Sequence, residues 1–217
     1  MDKHKGERCV IIGNGPSLNK MDLSPLKNEI TFGLNRIYLL FPKIDFRPTY
    51  YACVNEYVLR QFHQEISSLA MPKFLNWSFR KYFRKSQDCT FIRMLYNPHF
   101  SRDLTRGFWS GASVTYTCMQ IAYYMGFKEV ILIGVDHRFK ESGISNQPIT
   151  ATENDVNHFS PDYFDKGVVW QLPDYKQNEW AYSMAKEVFK SEGRRIMDAT
   201  FDGRLKIFPK TDYESLF

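Results

Sequence analysis

The sequence lacks several features that would decide its class at once. No apolar run comes near the roughly 20 residues that a membrane-crossing helix needs. Cys9, Cys53, Cys89 and Cys118 are scattered with no Cys-x-x-Cys pair, which excludes a zinc knuckle or a thioredoxin-like motif. No Asp-x-Asp pair, Ser-His-Asp signature or His/Cys metal cluster occurs. There is no internal repeat, coiled coil or low-complexity stretch. The charged start, Met1 to Arg8, is not the apolar stretch of a signal peptide. These absences predict a cytoplasmic chain with buried free thiols at Cys9 and Cys53 and no structural metal.

What is present is enough for one domain. The chain has 217 residues, 43% apolar, 24% charged and 16% aromatic, the make-up of a folded protein with a full core. The aromatic content excludes disorder as the main state. The net charge of +5 is uneven. Lys73, Arg80, Lys81, Arg84, Lys85, Arg93, Arg102 and Arg106 face only Asp88 and Asp103 between residues 73 and 109. That segment carries +6 and leaves the remainder near −1. A phosphate-bearing substrate, an anionic membrane face or nucleic acid are the partners such a segment allows.

Apolar runs and helical patterns alternate along the chain. Strands are expected at 8–13, 30–34, 49–54, 129–134 and 195–197, and helices at 56–69, 112–125 and 174–192. Ser110 is a candidate N-cap and Gly126 a stop for the second helix. A tail hairpin is expected around Asp202-Gly203. The pattern predicts an α/β fold with a mostly parallel, modified Rossmann-like sheet flanked by helices. One nucleotide-binding domain would span 1–217, with a basic aromatic insertion at about 72–109. A long loop at about 140–173 would carry the active-site groups.

Polar residues collect where the apolar runs stop. Gly13-Asn14-Gly15-Pro16-Ser17-Leu18 follows the first run, and Asn35, Asn55 and Gly134 with Asp136 follow three others. Ligands of open α/β sheets bind at the carboxyl ends of strands. Glycines let backbone approach a phosphate or ribose, and a following helix N-terminus favours an anion. The loop is not a P-loop, since no Gly-Lys-Ser/Thr follows, and not a dinucleotide fingerprint, since its third glycine is Leu18. Asparagines at three strand ends suit a neutral polar ligand such as a nucleoside or sugar.

These elements, with Ser110-Gly111 added, resemble the bacterial lipooligosaccharide sialyltransferases. They also resemble the wider sialyltransferase-like superfamily that holds the 6-hydroxymethylpterin diphosphokinases (MptE-like proteins) and flagellin glycosyltransferases. The resemblance covers most of residues 8–139. It implies a CMP-activated sugar as donor on a single modified Rossmann domain. By it, Asn14, Gly15 and Ser17 would hold nucleotide phosphate and ribose, and Asn35 and Asn55 would touch ribose, phosphate or the transferred sugar. Ser110 and Gly111 would line the nucleotide pocket, and Gly134 and Asp136 would lie beside base or ribose. The family's leaving-group tyrosine after Asp136 is absent, and His137 and Arg138 stand there. Asn157-His158-Phe159 resembles the stretch near the family's base, whose own position holds Pro161, Asp162 or Tyr163.

Three functions follow. The first is a nucleotide-sugar-dependent glycosyltransferase of bacterial surface-glycan synthesis. In it His158 or Asp162 would act as base on a glycan or small-molecule acceptor, and Arg138 and His137 would offset phosphate charge. The second is an ATP-dependent pterin-diphosphokinase-like phosphotransferase, for which Mg²⁺ held near Asp136 is the implied cofactor. The third is a non-catalytic module that binds anionic ligands or membrane surfaces through residues 73–109. The motifs make nucleic acid the least favoured partner and leave peripheral membrane contact and self-association open. They place Arg93, Arg102 or Arg106 against an anionic donor or acceptor, and the stretch from Arg80 to Lys85 on the outer face.

Overall fold

The computed structural model describes residues 1–84, 87–140 and 143–217; Lys85 lies outside them. Strands β1 (Arg8–Ile12), β2 (Thr31–Leu34) and β3 (Tyr50–Cys53) come first, joined through 3₁₀ turns. Helices α1 (Glu56–Gln61) and α2 (His63–Ser68) lead to β4 (Lys73–Asn76). A 3₁₀ turn at Trp77–Phe83 leads to β5 (Cys89–Ile92). Then come the short strands β6 (Met94–Leu95) and β7 (Phe108–Trp109), helix α3 (Val114–Tyr124) and β8 (Glu129–Ile133). The chain continues with β9 (Pro148–Thr150), β10 (Val169–Gln171), α4 (Tyr175–Ser191) and β11 (Arg195–Asp198).

Seven strands form one sheet in the order β11-β8-β1-β2-β3-β4-β5, and every pairing in it is parallel. Parallel strands need cover on both faces, and the alternation in β1 supplies it. Cys9 and Ile11 join the apolar cluster under α3 and α4. Val10 and Ile12 join the opposite cluster, with Val58 and Leu59 of α1 and Ile66 of α2. The fold is α/β and Rossmann-like. The chain moves outward from β1 to β5, then crosses back to set β8 on the other side of β1. The strand order therefore reverses between β1 and β8, where such sheets open a crevice.

Several expectations are corrected. The stretch 72–109 is not an insertion, because it holds β4 and β5 of the central sheet. Lys73 is not a surface charge. It is 2% exposed, and its Nζ donates to the carbonyls of Leu69, Met71 and Gln87 at 2.7, 3.0 and 3.1 Å. The helix expected over 56–69 is two helices broken at Phe62 (φ −123°, ψ 25°), whose ring is buried. The third helix starts at Val114, capped by Ser113 and not Ser110. Gly111 and Ala112 have φ of +55° and +56°, which a right-handed helix does not admit. The segment after the glycine loop is a 3₁₀ turn of five residues with Pro16 in its first turn, too short to carry a helix dipole of consequence. Asp202-Gly203 makes a turn without a hairpin, and the returning chain meets Asp198 at Lys210 through a single parallel bridge. The long loop carries the antiparallel β9–β10 ribbon.

Candidate active site

A cleft of about 850 Å³ opens along the carboxyl ends of the strands. At its floor the β1 and β8 ends lie almost in contact. The N–H groups of Gly13 and Gly15 donate to the carbonyls of Ile133 and Gly134 at 2.8 and 2.9 Å. A Cβ on Gly13 would sit 2.2 Å from the Gly134 oxygen, and one on Gly15 would sit 1.8 Å from Asp136 Oδ2. These glycines are thus required by the neighbouring strand end.

Ser17 and Asp136 complete that contact. The Ser17 N–H and Oγ–H donate to Asp136 Oδ1 and Oδ2 at 3.2 and 2.6 Å. Arg138 stands 3.7 Å from Asp136 Oδ1 and also reaches Asp202 at 3.7 Å. Burial raises the Asp136 carboxyl above its ordinary range, and the Ser17 bonds and Arg138 oppose that shift.

The asparagines differ from one another. Asn55 Oδ1 accepts from the N–H groups of Tyr57 and Val58 at 2.9 and 3.2 Å, capping α1. Asn76, at the end of β4, caps the Trp77–Phe83 turn by accepting from the Ser78 N–H at 3.0 Å. Asn14 and Asn35 cap nothing, and the Oδ1 of each is buried with no partner among the described residues. Asn35 sits at φ +48°, and its carbonyl accepts from Tyr51 Oη at 2.6 Å. A buried oxygen left unpaired costs about 1–3 kcal/mol, so both sites favour a ligand with N–H or O–H donors.

The opposite wall comes from residues 138–139 and 146–178. The Phe159 N–H donates to the Asn14 carbonyl at 2.9 Å, and Asn19 Nδ2 donates to the Phe159 carbonyl at 2.8 Å. Gln61 ties the ribbon to α1 through both backbone groups of Val169. Within this wall His158 Nδ1 lies 2.8 Å from Asp155 Oδ2, and the Asp155 side chain is 3% exposed. Asp155 Oδ1 accepts from the N–H groups of Asn157 and His158. The imidazole stacks on Tyr163 with centroids 3.8 Å apart, and burial keeps that phenol protonated. Arg36 sits behind, bonded to the Asp162 and Tyr163 carbonyls and stacked 3.8 Å from the Phe62 ring. Among the described residues His158 Nε2 has no hydrogen-bond partner, and the ring lines the cleft. His137, at φ +54°, contacts the exposed Glu179 at 3.0 Å and the Tyr175 ring.

The structure gathers most of the sequence candidates here. Gly13, Asn14, Gly15, Asn35, Asn55, Ser110, Gly134, Asp136, His137, Arg138 and His158 all line the cleft. Ser17 lies behind it, on Asp136. Gly111 packs on α4, where a Cβ would meet Ala181 at 2.5 Å. Asp162 is exposed and contributes a backbone carbonyl to Arg36, away from the cleft. Arg102 pairs with Glu192 at 2.7 Å, and neither Arg93 nor Arg106 reaches the main cleft. Its guanidinium groups, among the described residues, are Arg60 and Arg138. Sequence reasoning missed Asn76, Arg60 and the orienting place of Asp155. The repeating Asn after each apolar run was a usable signal for Asn76.

Comparison with known proteins matches this arrangement at two levels. No curated protein matches the chain. A solved structure, that of the MAf glycosyltransferase from Magnetospirillum magneticum AMB-1, is similar over 99% of this chain with a TM-score of 0.61 at 15% identity. The chain spans 35% of the length of that protein, and at this identity the likeness is one of fold. The family model described as 6-hydroxymethylpterin diphosphokinase MptE-like matches residues 1–142, from the glycine loop through the Asp136 turn. The chain belongs to the 6-hydroxymethylpterin diphosphokinase MptE-like family.

Proposed function

We propose that the chain transfers a glycosyl group from a nucleotide-activated donor, a CMP-sugar by preference, to a hydroxyl of a glycan or small-molecule acceptor in bacterial surface-glycan synthesis. The observation that carries this reading is His158, held by Asp155 behind it, lining the same cleft as Asn14 and Asn35 with their unpaired oxygens. Those oxygens suit the hydroxyl and amino donors of a nucleoside. The cleft has little positive charge, Arg60 and Arg138 against Glu56 and Asp136. That balance suits the single charge of a CMP-sugar better than a triphosphate, since buried charge needs a partner.

Asp155 fixes the imidazole with Nδ1 toward the carboxylate, leaving Nε2 as the base. As the acceptor oxygen bonds to the anomeric carbon, its proton passes to Nε2. The bond from that carbon to the phosphate oxygen breaks, and its electron pair leaves with the nucleotide beside Arg138.

Diphosphoryl transfer from ATP is the second reading, favoured by the family match over residues 1–142. It implies Mg²⁺, normally held by one or two carboxylates with substrate phosphates. Among the described residues no three His, Cys, Asp or Glu side chains converge, and Asp136 is engaged by Ser17. This donor set does not make a protein-built cation site.

Calorimetric titration with CMP, CDP and ATP, with and without Mg²⁺, separates the two. Heat with CMP independent of Mg²⁺ is expected. Silence with cytidine nucleotides alongside Mg²⁺-dependent ATP binding overturns the first reading for the second.

A further inference from the structure

The +6 segment gains its meaning from what the fold places around it. The Trp77–Phe83 turn buries Phe79 and Phe83 and leaves Trp77 and Tyr82 at 48% and 42% exposure. Basic side chains of the turn, α1 and α2 lie against its rings. Arg80 stacks over Trp77 at 4.6 Å, His63 of α2 packs on Tyr82 at 5.0 Å, and Arg60 of α1 covers Phe79 at 5.1 Å. Lys81 and Arg84 are exposed beside them. Among the described residues none of Arg60, Arg80, Lys81 and Arg84 forms an ion pair, although the molecule's other arginines often do. No acidic residue occurs from 77 to 84. The patch runs into the cleft mouth, because Arg60, Ser78, Phe79 and Tyr82 also line it.

We propose that this patch docks the cleft mouth on an anionic lipid bilayer. Half-exposed Trp and Tyr suit the headgroup region, where the ring body is apolar and its polar edge is wet. Unpaired Lys and Arg next to them are drawn by the surface potential of anionic lipids. The attachment is peripheral: among the described residues no helix is long and apolar enough to cross a membrane. A single-stranded nucleic acid would use the same charges, but it needs a groove that tracks its backbone, and Arg80, Lys81 and Arg84 all sit on one short turn and its cap. Docked in this way, the cleft would meet an acceptor carried on a lipid. That last step rests on the transferase reading, and the docking does not.

The test is flotation of the full chain with phosphatidylcholine vesicles with and without phosphatidylglycerol, at low and high salt. Binding is expected only to the anionic vesicles, weakening with salt. A triple variant, Arg80→Ala, Lys81→Ala and Arg84→Ala, should bind about 100-fold more weakly. A charge-matched remote variant, Lys128→Ala, Lys186→Ala and Lys190→Ala, should bind as the parent does. Trp77→Ala should abolish quenching of tryptophan fluorescence by brominated lipid. No flotation of the parent, equal loss in the remote variant, or undiminished binding of the patch variant overturns the proposal. So does tighter patch-dependent binding to single-stranded RNA than to the vesicles. CMP titration of the patch variant reports the nucleotide site separately, so failure of docking and failure of the transferase reading are distinguishable.

Discussion

Ser17 with Asp136, and Asn14 with Asn35, stand on the same rim of the same sheet and are spent differently. Ser17 and Asp136 satisfy each other across the β1–β8 junction, 119 residues apart in sequence. Asn14 and Asn35 hold buried oxygens that no described group satisfies. All four residues would look alike as ligand-binding candidates in a sequence. The difference divides the rim into a pair that is satisfied within the fold, Ser17 with Asp136, and oxygens of Asn14 and Asn35 that are left unpaired, which the proposed transferase reading gives to substrate together with His158.

The largest expected effect lies on the His158 wall. His158→Gln should lower donor turnover, read as CMP release from a CMP-sugar, by roughly 10²–10⁴-fold, with CMP affinity unchanged. Asp155→Asn should lower it less and leave a residual rate, because the base remains but its orientation is lost. Equal turnover in His158→Gln would remove the base from the account.

Next comes the scaffold. Gly15→Ala forces a methyl to within 1.8 Å of Asp136 Oδ2 and should destabilise the fold by about 3 kcal/mol, seen as a lower urea midpoint. A Gly15→Ala protein of parental stability would show that the two strand ends are free to separate.

The smallest effect is a pH dependence at Asp136. Its carboxyl is raised in the fold, chiefly by burial, so between its ordinary and its raised value the native state binds more protons than the unfolded one. Stability from this group is then present below the ordinary Asp range and is lost as pH rises through the raised value. The parent should therefore gain stability relative to Asp136→Asn as pH falls from neutral toward 4. A parent that instead loses ground over that interval would mean that Ser17 and Arg138 outweigh burial.

Much of this was legible before the fold was seen. Short apolar runs closed by Gly13, Asn35, Asn55 and Gly134 mark strands buried on both faces, and ligands gather at their carboxyl ends. A further asparagine of this kind, Asn76 at the end of β4, was obscured because that strand begins with Lys73. A buried lysine capping three carbonyls reads in sequence as a surface charge. Asp155 was hidden differently. It forms the backbone turn that its type predicts, and the same carboxylate also holds His158, a second role that composition does not reveal. Arg60 falls within the helical pattern after Asn55 with nothing local to single it out, and only the packing of α1 beside the Trp77–Phe83 turn brings it to the cleft. The pairing of Ser17 with Asp136 depends on the crossover that sets β8 beside β1, and no local pattern specifies that crossover.

The most direct test of the division between satisfied and unpaired groups is the double variant Asn14→Ala with Asn35→Gly, glycine admitting the +48° φ at that position, followed by calorimetric CMP titration and thermal unfolding. The account predicts that CMP affinity falls by about 100-fold while the ligand-free protein melts no lower than the parent, since two unpaired buried oxygens are removed. Unchanged CMP affinity with a lowered melting temperature would contradict it.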